Sequence, residues 1–407
     1  MVVGGPTASG KTALAIRLAQ HFNAPIISGD SRQCYREMTI GTAKPTPDEL
    51  KRAPHFFINT LSIEQHFSVN DFVNLALDWL EQVFQQHDYA ILVGGTGLYI
   101  NALCQGMDAF PDVAVEIRQA VEAAYQQHGL THLQAELAQV DPAYFGVVDQ
   151  NNPHRLIRAL AFFRATGQPF SDYRKGQHSL RFFQPIYLQV HQARTMLYAR
   201  IDDRVNNMVQ QGLLEETRHL YAFRQMPALQ TVGYQECFDY LDGKITWETA
   251  VELIQRNSRR YAKRQLTWMR RDGHWKMVQS EDEPLILAYI QLVRERGWRI
   301  KTGNDAVEVM PGFRAEQQIH ILEGDIQLAA LFIVSKKNKA IAFQLESPRD
   351  ADQIKAMELL IHQWHLNDGL EKRYAVCPLS DQRLWSKMGW KRSEVHLEVG
   401  EEWVIVE

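Results

Sequence analysis

Gly5, Gly10, Lys11 and Thr12 satisfy the spacing G-x-x-x-x-G-K-[ST] within Gly5-Pro6-Thr7-Ala8-Ser9-Gly10-Lys11-Thr12. In this pattern backbone N–H groups wrap anionic oxygens, a helix N-terminus points at them, and the lysine adds a point charge. The flanking residues supply the context the pattern needs. Val2 and Val3 start an apolar strand, while Leu14, Leu18 and Phe22 share one helical face with Ala15 and Ala19 beside them. An ordinary glycine-rich strand-to-helix turn requires neither Lys11 nor Thr12, so the sequence points to a diphosphate or triphosphate ligand, with Thr12 as a ligand to Mg2+. Only Met1 to Val3 precede Gly4, which leaves the first strand short and places the expected natural start upstream of Met1.

Two further stretches end where a ligand would lie. Pro25-Ile26-Ile27-Ser28 is a short β-type run closing on Gly29-Asp30-Ser31, and in a parallel sheet the carboxyl ends of strands face the ligand crevice. Asp30 is therefore a candidate base or metal partner; capping of a following helix is an equal alternative for an aspartate at such a boundary. Tyr89 to Val93 is a near-continuous apolar strand that ends in Gly94-Gly95-Thr96. By the same argument Thr96 faces the crevice, and the glycines would let a substrate approach the backbone. Gln33 to Pro45, rich in polar groups and glycine, reads as an active-site loop.

The elements that hold these residues follow from pattern and composition. A chain of 407 residues with 45% hydrophobic content supports two or three packed units. Cys34, Cys104, Cys237 and Cys377 show no C-x-x-C pairing, which argues against a zinc site and a disulfide framework and fits a reducing compartment. The sequence has no apolar run of about 18 residues and no basic-plus-apolar leader. A cytoplasmic protein with no membrane association is expected. Net charge is −4, but residues 301–407 hold 13 Lys+Arg and 17 Asp+Glu, so the first 300 are balanced and a local basic stripe could still meet phosphates.

Ser68-Val69-Asn70-Asp71-Phe72 reads as a helix start, with Phe72, Leu75, Ala76, Trp79 and Val83 on its apolar face. Residues 111–190 become amphipathic helices punctuated by Pro111 and Pro142, including Glu116 to His128 and Thr131 to Gln139. Arg200 and Arg204 lie one helical turn apart on one face. Thr246 to Arg271 forms a long helix pattern whose Arg256, Arg260, Lys263, Arg264 and Arg270 are interleaved with Tyr261 and Trp268, a mixture suited to a nucleic-acid backbone. From Lys301 the pattern shifts to alternating runs such as Leu328 to Val334 and Ala340 to Phe343, then a helix around Ile354 to Trp364. Arg383 to Trp390 faintly resembles the closing helix-strand step of acetyltransferase-like folds, without an acyl-CoA phosphate loop. The expected class is α/β: a P-loop NTPase-like parallel sheet with helices on both faces in 1–110 and 191–300, a helical insertion at 111–190, and a small α+β module at 301–407, read as a structural or partner-binding appendage.

Several motifs agree in order and spacing with one family. Gly5 to Thr12, Asp30-Ser31, Gly41-Thr42-Ala43-Lys44-Pro45, Pro54-His55-Phe56 and Val93 to Tyr99 resemble those of bacterial tRNA dimethylallyltransferases. Asn152 to Leu160, Arg200 to Val205, Gly212 to Glu216, Val232-Gly233-Tyr234 and Lys263 to Arg270 extend the resemblance, which covers roughly residues 1 to 300. It implies transfer of a dimethylallyl group from dimethylallyl diphosphate to N6 of adenosine 37 beside the tRNA anticodon, by a monomer using Mg2+ on Thr12. On the same basis Asp30 is the catalytic base, and Lys11, Thr12 and Arg204 stabilise the diphosphate. Gly5, Pro6, Thr7, Ala8, Ser9, Gly10 and Thr96 complete its binding. The tRNA contacts implied are Asp30, Ser31, Arg32, Gln33, Thr96, Arg118, His154, Arg155, Leu156, Ile157, Arg158, Lys263, Arg264, Gln265, Thr267, Trp268 and Arg270. One departure stands out: some relatives carry Arg on either side of the Val-Gly-Tyr motif, where this chain has Gln230, Thr231 and Gln235. Two other readings share the phosphate loop: a kinase that moves phosphate from ATP to a metabolite, and an RNA-binding protein whose loop is a nucleotide switch.

Overall fold

Short β-branched runs alternating with amphipathic helices build a parallel sheet in the computed structural model, which describes residues 1–108, 110–176, 180–303, 307–310, 313–315, 317–323, 326–336, 339–344, 346–366, 372–388, 390, 391 and 403–406. The chain forms two compact units, Met1–Ile100 with Pro185–Glu407, and Asn101–Gln184. It opens with β1 (Val2–Gly4), α1 (Lys11–His21), β2 (Ile26–Ser28), α2 (Pro47–Arg52), β3 (His55–Phe56), α3 (Val69–Val83), β4 (Ile91–Gly94) and α4 (Gly97–Gln105). The second unit carries α5 (Val115–His128), α6 (Leu130–Val140), α7 (Pro142–Phe145), α8 (Pro153–Thr166) and α9 (Phe170–Tyr173). The first unit resumes with β5 (Tyr187–Val190), α10 (Arg194–Gln210), α11 (Leu213–His219), α12 (Tyr234–Leu241), α13 (Trp247–Asp272), β6 (Lys276–Val278) and α14 (Glu283–Arg296).

The first sheet runs β3-β2-β4-β1-β5-β6 and is parallel throughout. Val3 of β1 sits between Val93 and Leu188, so the Gly-rich loop leaves a central strand whose neighbours also deliver their carboxyl ends to the same edge. That topology brings the loop after β1, Asp30 after β2 and Thr96 after β4 to one crevice. The helix start at Ser68 forms as its sequence predicts: Ser68 accepts from the Asp71 N–H and Asp71 returns the bond to the Ser68 N–H. Thr246 caps α13 through the Thr249 N–H.

The remaining strands are β7 (Trp298–Gly303), β8 (Val307–Met310), β9 (Phe313–Ala315), β10 (Gln317–Glu323), β11 (Ile326–Lys336), β12 (Lys339–Phe343), β13 (Lys372–Pro378) and β14 (Trp403–Val406), with α15 (Ala351–His365) and α16 (Gln382–Lys387) between them. Six of the strands form a mixed sheet, β14-β13-β12-β11-β10-β7, in which β12 and β13 are parallel and the helical crossover α15 joins them. Gly389, within the acetyltransferase-like segment, lies outside the described residues.

This C-terminal sheet shares a core with the first one. Leu18, Ile91, Leu188, Ile286, Ile321, Leu331, Leu360 and Trp364 belong to one buried apolar cluster. Helix α15 also covers the open edge of β6, a role that stops edge pairing with other chains. The Met277 N–H donates to Gln363 Oε1 (2.9 Å), Gln363 Nε2 donates to Trp275 O (3.3 Å), and buried Lys276 Nζ donates to Leu359 O (3.0 Å). Burial drives Lys276 down to about 7, with Asp282 pulling the other way. The second unit has its own core, in which Val121, Leu133, Leu137, Leu156, Leu160 and Phe162 pack with Phe170. Among the described residues no helix is long and apolar enough to cross a membrane.

Candidate active site

Gly10, at φ 93°, takes the left-handed conformation that turns the loop into α1, and no side chain caps that helix. Its first-turn N–H groups therefore face the loop unclaimed by a cap, which makes them anion donors. Lys11 Nζ donates to Pro6 O at 3.3 Å. One pocket is lined by Thr7, Lys11, Thr12, Ser28, Asp30, Gln33, Ala43, Pro45, His55, Ile58, Val93, Gly94, Arg204, Tyr261 and Gln265. Desolvation pushes Lys11 down to about 8; the nearby Arg204 guanidinium adds to the fall and Asp30 opposes it. Two cations that destabilise each other gain most from a multiply charged anion placed between them.

Asp30 is the carboxylate among the described lining residues. Its Oδ1 accepts from the N–H groups of Arg32 (2.9 Å) and Gln33 (3.4 Å). Residues 31–34 form a turn rather than a helix, so the aspartate organises a turn instead of capping a helix. No bond to Oδ2 occurs among the described residues, which leaves that oxygen for a ligand. The Ser31 N–H donates to Thr96 Oγ1 (3.2 Å), and Thr96 Oγ1 donates to Ser31 Oγ (3.4 Å). Tyr261 lies beside Thr96, and burial pushes its phenol up to about 12. Thr96 thus holds the loops after β2 and β4 together at the pocket edge.

The polar loop after Asp30 is anchored from two later helices. Glu216 of α11 accepts from the N–H groups of Thr39 (3.0 Å), Ile40 (2.8 Å) and Gly41 (3.0 Å), and from buried Tyr234 Oη (2.7 Å). Gln33 Nε2 donates to Thr42 O and Ala43 O, while Lys44 Nζ bonds Asn59 Oδ1 and Tyr35 O. The motifs around Glu216 and Tyr234 therefore shape the wall formed by Ala43 and Pro45. Glu216→Gln removes the charge and replaces one acceptor oxygen by a donor. It is expected to cost about 2 kcal/mol of stability in urea unfolding and to raise KM for whatever anion the pocket binds; unchanged values for both would contradict the anchoring role.

The sequence-predicted residues separate by position. Lys11, Thr12, Asp30, Arg204 and Thr7 line the pocket together with Gln33 and Gln265. Ser9 is buried beside them, and its hydroxyl has no partner among the described residues. In the second unit His154, Arg155 and Arg118 are exposed, and exposed Arg158 stacks over Phe110 and Phe170. Leu156 and Ile157 are core residues of that unit, so their side chains stay inside because the helix turns its apolar face inward. On α13, Lys263, Arg264, Thr267 and Arg270 are exposed, whereas Gln265 is buried against the pocket. The space beside Gly95 is filled by Gln265 rather than left open for a substrate.

Sequence reasoning named His55 and Tyr261 only within motifs. His55 Nδ1 donates to Ala53 O at 2.8 Å, which leaves Nε2 as an acceptor in the pocket wall with no protein partner among the described residues. The signal for both was their place at a strand or helix feeding the crevice, which needs the topology to be read.

A sequence model described as IPP transferase matches residues 33–272. A protein of Bacteroides fragilis named tRNA dimethylallyltransferase 1 is 43% identical over 291 residues, which are 72% of this chain and 97% of that protein. A tRNA dimethylallyltransferase of Christiangramia forsetii is 46% identical over 288 residues, 70% of this chain and 95% of the relative. The crystal structure of the full-length tRNA isopentenylpyrophosphate transferase from Bacillus halodurans is 34% identical with a TM-score of 0.52, over 72% of this chain and 95% of that one.

Proposed function

The chain belongs to the IPP transferase family, and from that premise we propose that it transfers a dimethylallyl group from dimethylallyl diphosphate to N6 of adenosine 37 in tRNA. The observation that carries this reading is the meeting in one pocket of Asp30 with the cations Lys11 and Arg204. A phosphate loop alone would serve many ligands. A carboxylate that faces the same space supplies what an amine acceptor needs.

In the reaction the allylic C1–O bond breaks, the electron pair leaves with the diphosphate, and the adenine N6 forms the new bond to C1. Asp30 takes the proton released from N6, because the amine lone pair is delocalised into the ring and the nitrogen becomes acidic as the bond forms. Lys11, Arg204 and the first-turn amides of α1 bind the charge that grows on the leaving oxygens. The Thr12 hydroxyl and a single carboxylate in the pocket suit Mg2+ held chiefly by substrate oxygens and water. Mg2+ bound there supplies further charge neutralisation for the diphosphate. Exposed Lys263, Arg264, Thr267 and Arg270 on α13, half-buried Trp268, and Ser31, Arg32, Gln33 and Thr96 are the tRNA contacts this reading assigns to the first unit, and exposed Arg118, His154, Arg155 and Arg158 are those it assigns to the second.

Release of diphosphate from dimethylallyl diphosphate, measured with and without anticodon stem-loop RNA, tests the reading: release should require the RNA, and ATP should give no phosphorylated product. ATP turnover with a metabolite acceptor would favour a kinase instead. The pH dependence has a definite sign. Lys11 loses its proton as pH rises through about 8 in the free protein, and the neutral amine no longer attracts the diphosphate. Above that pH kcat/KM for the donor should fall about tenfold per unit, and Lys11→Arg should lack this alkaline limb because a guanidinium stays charged.

A further inference from the structure

Gln265 sits on the helix whose outer face carries the basic residues, yet its side chain is buried and points the opposite way. Its Oε1 accepts from the Thr7 N–H at 2.8 Å, and its Nε2 donates to Gly95 O at 3.0 Å. The amide orientation is fixed, since the first group can only donate and the second only accept. One side chain therefore ties the phosphate loop to the loop after β4. Its neighbours one turn away complete the same seam. Tyr261 lies beside Thr96, and a Cβ on Gly97 would lie 2.3 Å from the Trp268 ring. A Cβ on Gly95 would lie 2.1 Å from Gln265 Nε2, so both glycines are small because the inner face of α13 presses on them.

We propose that Gln265 is a positioning residue, which sets the phosphate loop against the loop after β4 and so fixes the donor diphosphate relative to the base that attacks it. This rests on the dimethylallyl-transfer reading and departs from a role for Gln265 in touching RNA. The bond to Thr7 holds the loop backbone at the pocket wall, and the bond to Gly95 steadies the loop whose Thr96 bonds Ser31, next to Asp30. Misplacing either loop by an ångström weakens both donor binding and reaction geometry. Because the outer face of the same helix is basic, a nucleic acid bound there would lie on the element that frames the donor.

Gln265→Ala should weaken binding of inorganic pyrophosphate with Mg2+ about tenfold by calorimetry and lower kcat by about tenfold or more, while the Kd for anticodon stem-loop RNA stays within about twofold of wild type. Arg264→Ala is the comparison, expected to weaken RNA binding and spare pyrophosphate. Wild-type pyrophosphate affinity in Gln265→Ala, or an RNA Kd weakened as in Arg264→Ala, overturns the proposal. A wild-type protein that binds pyrophosphate and transfers nothing would instead sink the functional reading, with the Gln265 comparison still legible in binding. Gln265→Glu gives an independent answer if the alanine variant does not fold. A neutral carboxylic acid accepts from Thr7 and donates to Gly95 as the amide does, whereas the carboxylate cannot donate. The activity of Gln265→Glu relative to wild type should therefore rise about tenfold from pH 8 to pH 6, and a flat ratio overturns the assignment.

Discussion

Asp30→Asn should slow dimethylallyl transfer to stem-loop RNA by about 10²–10⁴-fold, the range for loss of a positioned general base. The asparagine oxygen can still accept from the Arg32 and Gln33 N–H groups that shape the turn, so the fold of the pocket is kept and the loss is chemical. The affinity for pyrophosphate should hold or rise. Removing a negative charge from a space shared with Lys11 and Arg204 takes away an anion that competes with the diphosphate for the same cations. Single-turnover transfer and pyrophosphate binding, measured on the same preparation, separate the two effects. A variant that transfers at nearly the wild-type rate would show that the proton leaves by another route.

Arg204→Ala should lower kcat/KM for dimethylallyl diphosphate by about 10²–10³-fold. Arg204 enters the pocket from α10, far along the chain from the loop it serves, and burial depresses its guanidinium while Asp30 supports the charged form. A cation that bears the desolvation cost in advance interacts strongly with charge that develops during bond breaking, since little reorganisation remains. Arg204→Lys should recover only part of the loss, because a point charge replaces a planar fork that bonds two oxygens at once. Loss confined to KM would make Arg204 a ground-state anchor. An equal drop in kcat places its effect in the transition state.

The parts of this protein that were legible in the sequence are those set by local pattern. Gly10 and Lys11 announce the loop because only glycine adopts the turn cheaply and only a cation explains the next residue. Asp30 and Thr96 could be aimed at the crevice because they end strands of a parallel sheet, where topology decides direction. Ser68 and Thr246 stand where the sequence pattern starts a helix, and in the structure the hydroxyl of each caps it. Three groups were not legible in this way. Gln265 meets Thr7 across 258 residues, and Glu216 meets Thr39 across 177; each looks in sequence like one more polar residue on a solvated helix. Leu156 and Ile157, placed among the RNA contacts by the family resemblance, are buried on the inward face of α8. The shared core of the C-terminal sheet was hidden for a related reason: Lys276 and Gln363, which close the edge of β6, carry the composition of surface residues.

The most direct measurement is the mass of anticodon stem-loop RNA after incubation with the protein, Mg2+ and either dimethylallyl diphosphate or ATP. Dimethylallyl diphosphate should add one C5H8 unit, and nuclease fragments should place it on adenosine 37, with ATP adding nothing. No mass gain from dimethylallyl diphosphate in folded protein that binds the RNA, or a phosphate gained from ATP, would contradict the assignment of this pocket to prenyl transfer.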